Sequence, residues 1–121
     1  MKCLGISEVE IVQRKYGIMK LLAGVRSNIM RSKNLDVKIL EIEPYRSTSN
    51  HYHQRSESVY FVLDGLISAD IQGKRFDMIK GDIVLVDVNE THCFTNNSQN
   101  ICILLEVMSP AYSRDDIFYV D

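Results

Sequence analysis

Short apolar runs, each closed by a turn signal, are the feature that most constrains what this chain can fold into. We predict strands at residues 36–43, 59–63, 66–71, 75–79, 83–86, 92–95 and 101–108. Asp64-Gly65 after the second of these runs is a strong turn pair, and Gly73 and Gly81 close the next two. Short strands with turns at regular spacing are typical of a sandwich or barrel. No stretch after residue 30 has a helical period long enough to compete, so we predict an all-β fold.

Both ends of the chain leave alternatives open. The first dozen residues fit either a short helix or an edge strand, and their pattern does not choose between the two. The apolar tail Ile117–Val120 could fold back as an edge strand or cross to a second subunit. No linker, repeat or low-complexity segment interrupts the 121 residues, which predicts a single domain over residues 1–121.

Composition limits the classes of function. The 45% hydrophobic and 25% charged residues are ordinary for a globular domain and argue against a disordered chain. A net charge of -2 gives no electrostatic basis for a nucleic-acid partner. Residues 1–5 lack the apolar centre of a signal peptide, and apolar runs such as 101–105 are too short to span a bilayer. Three cysteines without a CxxC pair indicate reduced thiols, so we expect a cytoplasmic protein with no membrane partner.

All three histidines of the chain lie between residues 51 and 92. His51 and His53 are two residues apart, so both side chains project from the same face of an extended strand. The alternative is an exposed loop after the polar run 46–50, and it is weakened by the nearby Glu57 and by His92 on a later strand. Neutral imidazoles beside a carboxylate suit iron, manganese, nickel or zinc. We therefore predict a site for one of these divalent metal ions.

The spacing of these residues resembles the two sequence motifs of the cupin superfamily. The matching positions are His51-x-His53-x-x-x-Glu57 with the run to Gly65, then Gly81, His92 and Asn96. Asp87 and Asn89 stand where the second motif has Pro and Gly, and asparagine tolerates the left-handed conformation that glycine supplies. The resemblance implies a double-stranded β-helix (jelly-roll) barrel over residues 37–107. It also implies a metal ion inside the barrel, held by two histidines and a glutamate of the first motif and the histidine of the second.

The carboxylate position departs from the family pattern. The motif has its glutamate six residues before the glycine, and in this chain that position is Ser58 rather than Glu57. If Ser58 and Tyr60 face the interior, Glu57 points outward and only the three histidines remain. A one-residue bulge would instead turn Glu57 inward as a fourth ligand. Either ligand set binds a divalent ion and leaves positions for water or substrate.

The cupin barrel hosts many activities, so any statement of function depends on the site. We expect a metal-dependent enzyme, a dioxygenase or a sugar-type isomerase, that acts on a small polar metabolite inside the barrel. Tyr60 is the candidate catalytic residue. The alternative is a non-enzymatic module that binds a small ligand or acts as a sensor, which the altered carboxylate position favours. The resemblance and the apolar tail also imply a homodimer.

Overall fold

The computed structural model describes residues 1–120, which form eleven β-strands and two short 3-10 turns. The strands are β1 (Glu10–Arg14), β2 (Gly17–Ala23), β3 (Asp36–Ile42), β4 (His51–Tyr52), β5 (Glu57–Asp64), β6 (Leu66–Ile71), β7 (Lys74–Ile79), β8 (Ile83–Val86), β9 (His92–Thr95), β10 (Cys102–Ser109) and β11 (Phe118–Tyr119). The 3-10 turns are Ile6–Glu8 and Arg114–Asp116. The predicted all-β fold is confirmed, and three of the predicted strands, 66–71, 83–86 and 92–95, have the predicted bounds.

The strands form two antiparallel sheets that share one core. The first has six strands in the order β1-β2-β3-β10-β5-β8, and the second has five in the order β11-β4-β9-β6-β7. Burial alternates most regularly along β3 and β10, because successive side chains point to opposite faces of a sheet. Inward side chains from both sheets, among them Leu40, Leu104 and Phe94, pack in the same cluster. This arrangement is the double-stranded β-helix that the motifs implied.

Two asparagines hold the connections around the strand that carries His92. Asn89 has a φ of 64°, in the left-handed region, and its N–H donates to the His53 carbonyl at 2.6 Å. Asn96 is fully buried, and its amide donates to the carbonyls of Ile42 and Asn100 at 2.9 and 2.8 Å. These bonds tie the end of β9 to β3 and to the loop before β10. The two asparagines therefore fix where β9 begins and ends.

The two ends of the chain resolve the alternatives that the sequence left open. Near the N-terminus, residues 6–8 form a 3-10 turn, and β1 follows as an edge strand paired with β2. The tail folds back, with Phe118 of β11 opposite Tyr52 of β4 and their rings stacked at 5.1 Å between centroids. Phe118 therefore packs within the chain. None of the described residues belongs to a helix long and apolar enough to cross a membrane.

Candidate metal centre

The three histidines meet where β4 pairs with β9. His51 lies opposite His92 in the antiparallel register, and His53 directly follows β4. The His51 ring centroid is 4.4 Å from that of His92 and 5.1 Å from that of His53. One ring nitrogen of each histidine lies within 4.8 Å of the other two. Nitrogen ligands of zinc stand roughly 3 to 3.5 Å apart, so closing on an ion takes side-chain movements on the order of 1 Å.

Each imidazole is oriented by a backbone carbonyl. The Nδ1 atoms of His51 and His92 lie 2.8 and 2.9 Å from the carbonyls of Ser49 and Glu90, and Nδ1 of His53 bonds to the carbonyl of Asp116. A carbonyl oxygen only accepts, so each Nδ1 carries the proton and each Nε2 keeps its lone pair. Metal-binding histidines are usually oriented by such a bond from the second ring nitrogen.

The protonation states of His51 and His92 suit metal binding. Burial, together with the neighbouring His92, lowers the pKa of His51 to about 4. Burial also lowers the pKa of His92, whose Nε2 is a buried atom with no hydrogen-bond partner. An unpartnered buried nitrogen is costly unless something binds it. The donor set therefore fits a divalent ion without further rearrangement of the backbone.

Glu57 does not join this cluster. Its side chain is exposed on the outer face at the start of β5, whereas Ser58 is 2% exposed and faces the interior. No bulge turns Glu57 inward, because Ser58 and Tyr60 keep the regular alternation of the strand. The structure thus has the arrangement in which three histidines remain, and the hydroxyl of Ser58 has no hydrogen-bond partner.

A carboxylate that the sequence motifs did not reveal lies inside the barrel. Glu106 on β10 is 4% exposed, and its Oε1 lies 3.6 Å from Nζ of Lys38. Burial raises the pKa of Glu106, but Lys38, His92, Tyr60 and His51 together outweigh it, so the pKa falls below its usual range. Glu106 is therefore ionised. The sequence did contain one signal for an inward Glu106. It lies two residues after Leu104 on the same strand, so both side chains point to the same face of the sheet.

Tyr60 lies between Glu106 and the histidines. Its ring centroid is 5.8 Å from that of His92, and Tyr60 lies directly opposite Glu106 of the neighbouring strand β10. Burial, reinforced by the charge of Glu106, raises the pKa of Tyr60 well above its ordinary value. The phenol therefore keeps its proton. Tyr60 lies on the interior face of β5 together with Ser58, which is one of the two arrangements that the sequence left open.

Glu106 belongs to a longer row of charged side chains that also includes Lys38, Asp36 and Arg26. Nζ of Lys38 also lies 3.5 Å from Oδ1 of Asp36, and Nη2 of Arg26 lies 3.7 Å from Oδ2 of Asp36. The result is a row of alternating charges, two cations and two carboxylates. Burying such groups costs solvation that pairing only partly returns, so the row is better explained by a site than by stability.

A cavity of about 740 Å³ gives access to these groups. Small-molecule pockets have volumes of about 300–1,000 Å³. The wall includes His51, His53, Tyr60 and Glu106, while His92 lies behind it at 1% exposure. The cavity can hold a small metabolite against a metal-binding set and an acid–base pair.

The model of the cupin domain family matches residues 38–108, which is more than half of the chain. The chain belongs to the cupin family. This cupin also resembles a Streptomyces cyaneus protein named polyketide synthase CurC, with 24% identity over 120 residues, 99% of this chain and 77% of the relative.

Solved structures share the barrel. The polyketide cyclase RemF from Streptomyces resistomycificus superposes with a TM-score of 0.81 at 21% identity, over 100% of this chain and 86% of that one. The nucleoside dehydratase Pac13 superposes with a TM-score of 0.76 at 17% identity, over 99% of this chain and 91% of that one. A Streptomyces Pac13 variant was solved with uridine. At these identities the likeness establishes the fold, and the activity has to be argued from the site.

Proposed function

We propose that this cupin is a metal-dependent enzyme in which His51, His53 and His92 hold a divalent ion, one of iron, manganese, nickel or zinc. The observation that carries the proposal is the shared orientation of the imidazoles, since each Nδ1 donates to a backbone carbonyl and leaves Nε2 for the ion. Three protein ligands leave positions open for water or substrate. The substrate is a small polar metabolite bound in the cavity beside them.

The acid–base chemistry comes from Glu106 and Tyr60. The bound ion would supply a Lewis acid that polarises a carbonyl or hydroxyl oxygen of the substrate. Glu106, ionised beside Lys38, can accept a proton from the substrate. Tyr60, held in its protonated form, can donate a hydrogen bond or a proton to a substrate oxygen. Because Glu106 and Tyr60 are cross-strand neighbours that line the same cavity, a proton taken at one substrate atom can be returned at another.

The pair of Glu106 and Tyr60 favours proton transfer next to a carbonyl over dioxygenation. Such proton transfer is the chemistry of a sugar-type isomerase. An acid–base pair is central to moving a proton, whereas binding oxygen at iron does not require one. Eliminations and cyclisations use the same proton chemistry, so the names polyketide cyclase and nucleoside dehydratase of the structural neighbours support this choice.

The test begins with elemental analysis of protein purified without added metal or chelator. The protein loaded with the metal so identified is then incubated in D2O with small hydroxy-carbonyl compounds, and exchange of C–H for C–D is followed by NMR. We expect exchange in the wild type and in Glu57→Gln, and its loss with metal retained in Glu106→Gln. Failure to bind any of the four ions would contradict the proposal. Iron-dependent oxygen consumption that survives Glu106→Gln would favour the dioxygenase.

A non-enzymatic binding or sensor module is the second candidate. The observation in its favour is Ser58, which stands inside the barrel where the family's motif has a carboxylate ligand. A wild type that binds metal, yet shows neither proton exchange nor oxygen consumption across the compounds tested, would support this reading.

We also propose that the protein is a cytoplasmic homodimer. The three cysteines are unpaired in the described part of the chain, as expected in a reducing compartment. Ile83 and Leu85 expose 64% and 57% of their surface on β8, the edge strand of the six-stranded sheet. Apolar side chains on an unpaired edge favour association with a second copy.

A further inference from the structure

We propose that Arg26 forms an oxyanion subsite in the cavity, which binds a carboxylate or phosphate group of the metabolite. The assignment of this group to a substrate rests on the proposed function, whereas the binding of an anion at Arg26 rests on the arginine's own surroundings. The expected substrate is then a small metabolite with an anionic group at Arg26 and its reacting carbonyl or hydroxyl near the histidines.

Arg26 is held in place from two sides. Its guanidinium lies over the ring of Tyr112, with Cζ 3.9 Å from the ring centroid. Its loop is braced by the backbone of Gly24, whose carbonyl accepts from Ser27 and Ser32 and whose N–H donates to Met30. A stacked guanidinium has a fixed plane, so little side-chain freedom remains to be lost when a ligand binds.

The guanidinium has a free pair of donors. Its Nε and Nη2 are both buried and have no hydrogen-bond partner. These two nitrogens carry the N–H bonds on one edge of the guanidinium, which is the edge that binds carboxylate or phosphate in a bidentate manner. Leaving two charged donors unsatisfied is costly, and an oxyanion is the ligand that satisfies both together.

Asp36 does not form hydrogen bonds with these two donors of Arg26. Its Oδ2 is 3.7 Å from Nη2 of Arg26, which is beyond hydrogen-bonding distance. Oδ2 instead accepts from the Tyr112 N–H at 3.3 Å, and Oδ1 lies 3.5 Å from Lys38. The carboxylate is thus divided among three neighbours, and it leaves Nε and Nη2 of Arg26 without a hydrogen-bond partner.

The cavity around Arg26 is electrostatically suited to an anion. Its wall includes four basic side chains and one carboxylate, and these are Arg14, Lys15, Arg26, Lys38 and Glu106. Lys38 is the one that pairs with Glu106. Within the described residues, neither Arg14 nor Lys15 has a carboxylate within 4.0 Å. The excess of positive charge attracts anions to the same space that the histidines border.

The experiment is calorimetric titration of the protein, as purified, with benzoate and with inorganic phosphate. We expect Arg26→Gln to weaken binding of at least one anion by about tenfold or more, since charged hydrogen bonds are lost. The control Arg31→Gln removes an exposed arginine outside the cavity and should bind like the wild type. Arg26→Lys keeps the charge without the fork, so a loss in Arg26→Lys shows that bidentate binding is required, and the anion that the wild type binds more tightly identifies the group recognised.

Metal content, measured on every variant, separates the two proposals. Arg26→Gln that keeps its metal but loses the anion supports the subsite. Equal binding of both anions by the wild type and Arg26→Gln would overturn the subsite while leaving the metal site intact. No binding of either anion to the wild type would overturn it as well. Thermal unfolding checks that Arg26→Gln is folded, and if it is not, Tyr112→Leu, which removes the stacking partner, is expected to show the same loss of anion binding.

Discussion

At the scale of single residues, His92 gives the most direct test of the metal site. Its Nε2 is buried and unpartnered, and its ring lies 4.4 Å from that of His51. We expect His92→Ala to lower metal affinity by more than about 100-fold, because losing a ligand costs more than losing a residue that orients one. Competition with a chromophoric chelator measures the affinity. Glu57→Gln is the matched control and should bind metal like the wild type, because Glu57 is exposed on the outer face.

At Ser58 a substitution can add a metal ligand instead of removing one. It faces the interior on the same strand as Tyr60, and its hydroxyl has no partner. We expect Ser58→Glu to supply a fourth ligand and to tighten metal binding by about tenfold or more, while destabilising the metal-free protein through an unpaired buried carboxylate. Thermal unfolding with and without metal measures both effects. Ser58→Gln should bind metal no more tightly than the wild type, and equal affinities for Ser58→Glu and Ser58→Gln would contradict the idea.

At the scale of elements, the 3-10 turn at Arg114–Asp116 links the tail to the proposed metal site. The carboxylate of Asp116 accepts from the backbone N–H groups of Gln54, Arg55 and Ser56, at 2.7 to 3.2 Å. Its backbone carbonyl accepts from Nδ1 of His53. The tail therefore orients one proposed ligand and closes the loop that follows it.

This link predicts a pH-dependent contribution to stability. Burial raises the pKa of Asp116, but the three N–H donors outweigh it and hold the pKa below its usual range. The carboxylate thus stabilises the fold above the ordinary aspartate pKa of about 3.9, and this contribution is lost as the pH falls through the lower folded value. We expect Asp116→Ala to reduce the free energy of unfolding by about 2 kcal/mol at neutral pH.

Urea unfolding at pH 7 and at pH 3 measures this contribution. The difference between the wild type and Asp116→Ala should shrink at the lower pH. The exposed neighbour Asp115 provides the control, and Asp115→Ala should show little difference at either pH. A difference for Asp116→Ala that is the same at both values would show that the carboxylate charge is not responsible.

At the scale of the whole molecule, the edges of the six-stranded sheet bear on assembly. The tail is paired with β4, so the proposed dimer depends on β8 rather than on β11. We expect the double variant Ile83→Lys with Leu85→Lys to sediment as a monomer, because charged side chains oppose pairing at a sheet edge. The control Ile11→Lys alters the opposite edge strand, β1, and should leave the dimer intact. A wild type that sediments as a monomer would refute the dimer.

The sequence by itself determined most of the strands and the three histidines. Strands and turns follow from local alternation and from turn residues, which do not depend on distant contacts. The histidine spacing was equally local, since His51 and His53 had to share a face of an extended segment. The prediction of one domain over residues 1–121 is not tested by the structure and stays a prediction.

Only the tertiary structure decided which carboxylates face the barrel interior. Glu57 and Ser58 are neighbours, and the phase in which β5 presents its side chains puts the serine inside. The alternation along β10 groups Glu106 with Leu104, but sheet pairing and a loop contact far along the chain bring Glu106 and Arg26 to one cavity, which no local pattern encodes. The physical reason is that sequence periodicity reports alternation but not which face is inward, and inward faces are set by packing of one sheet against the other.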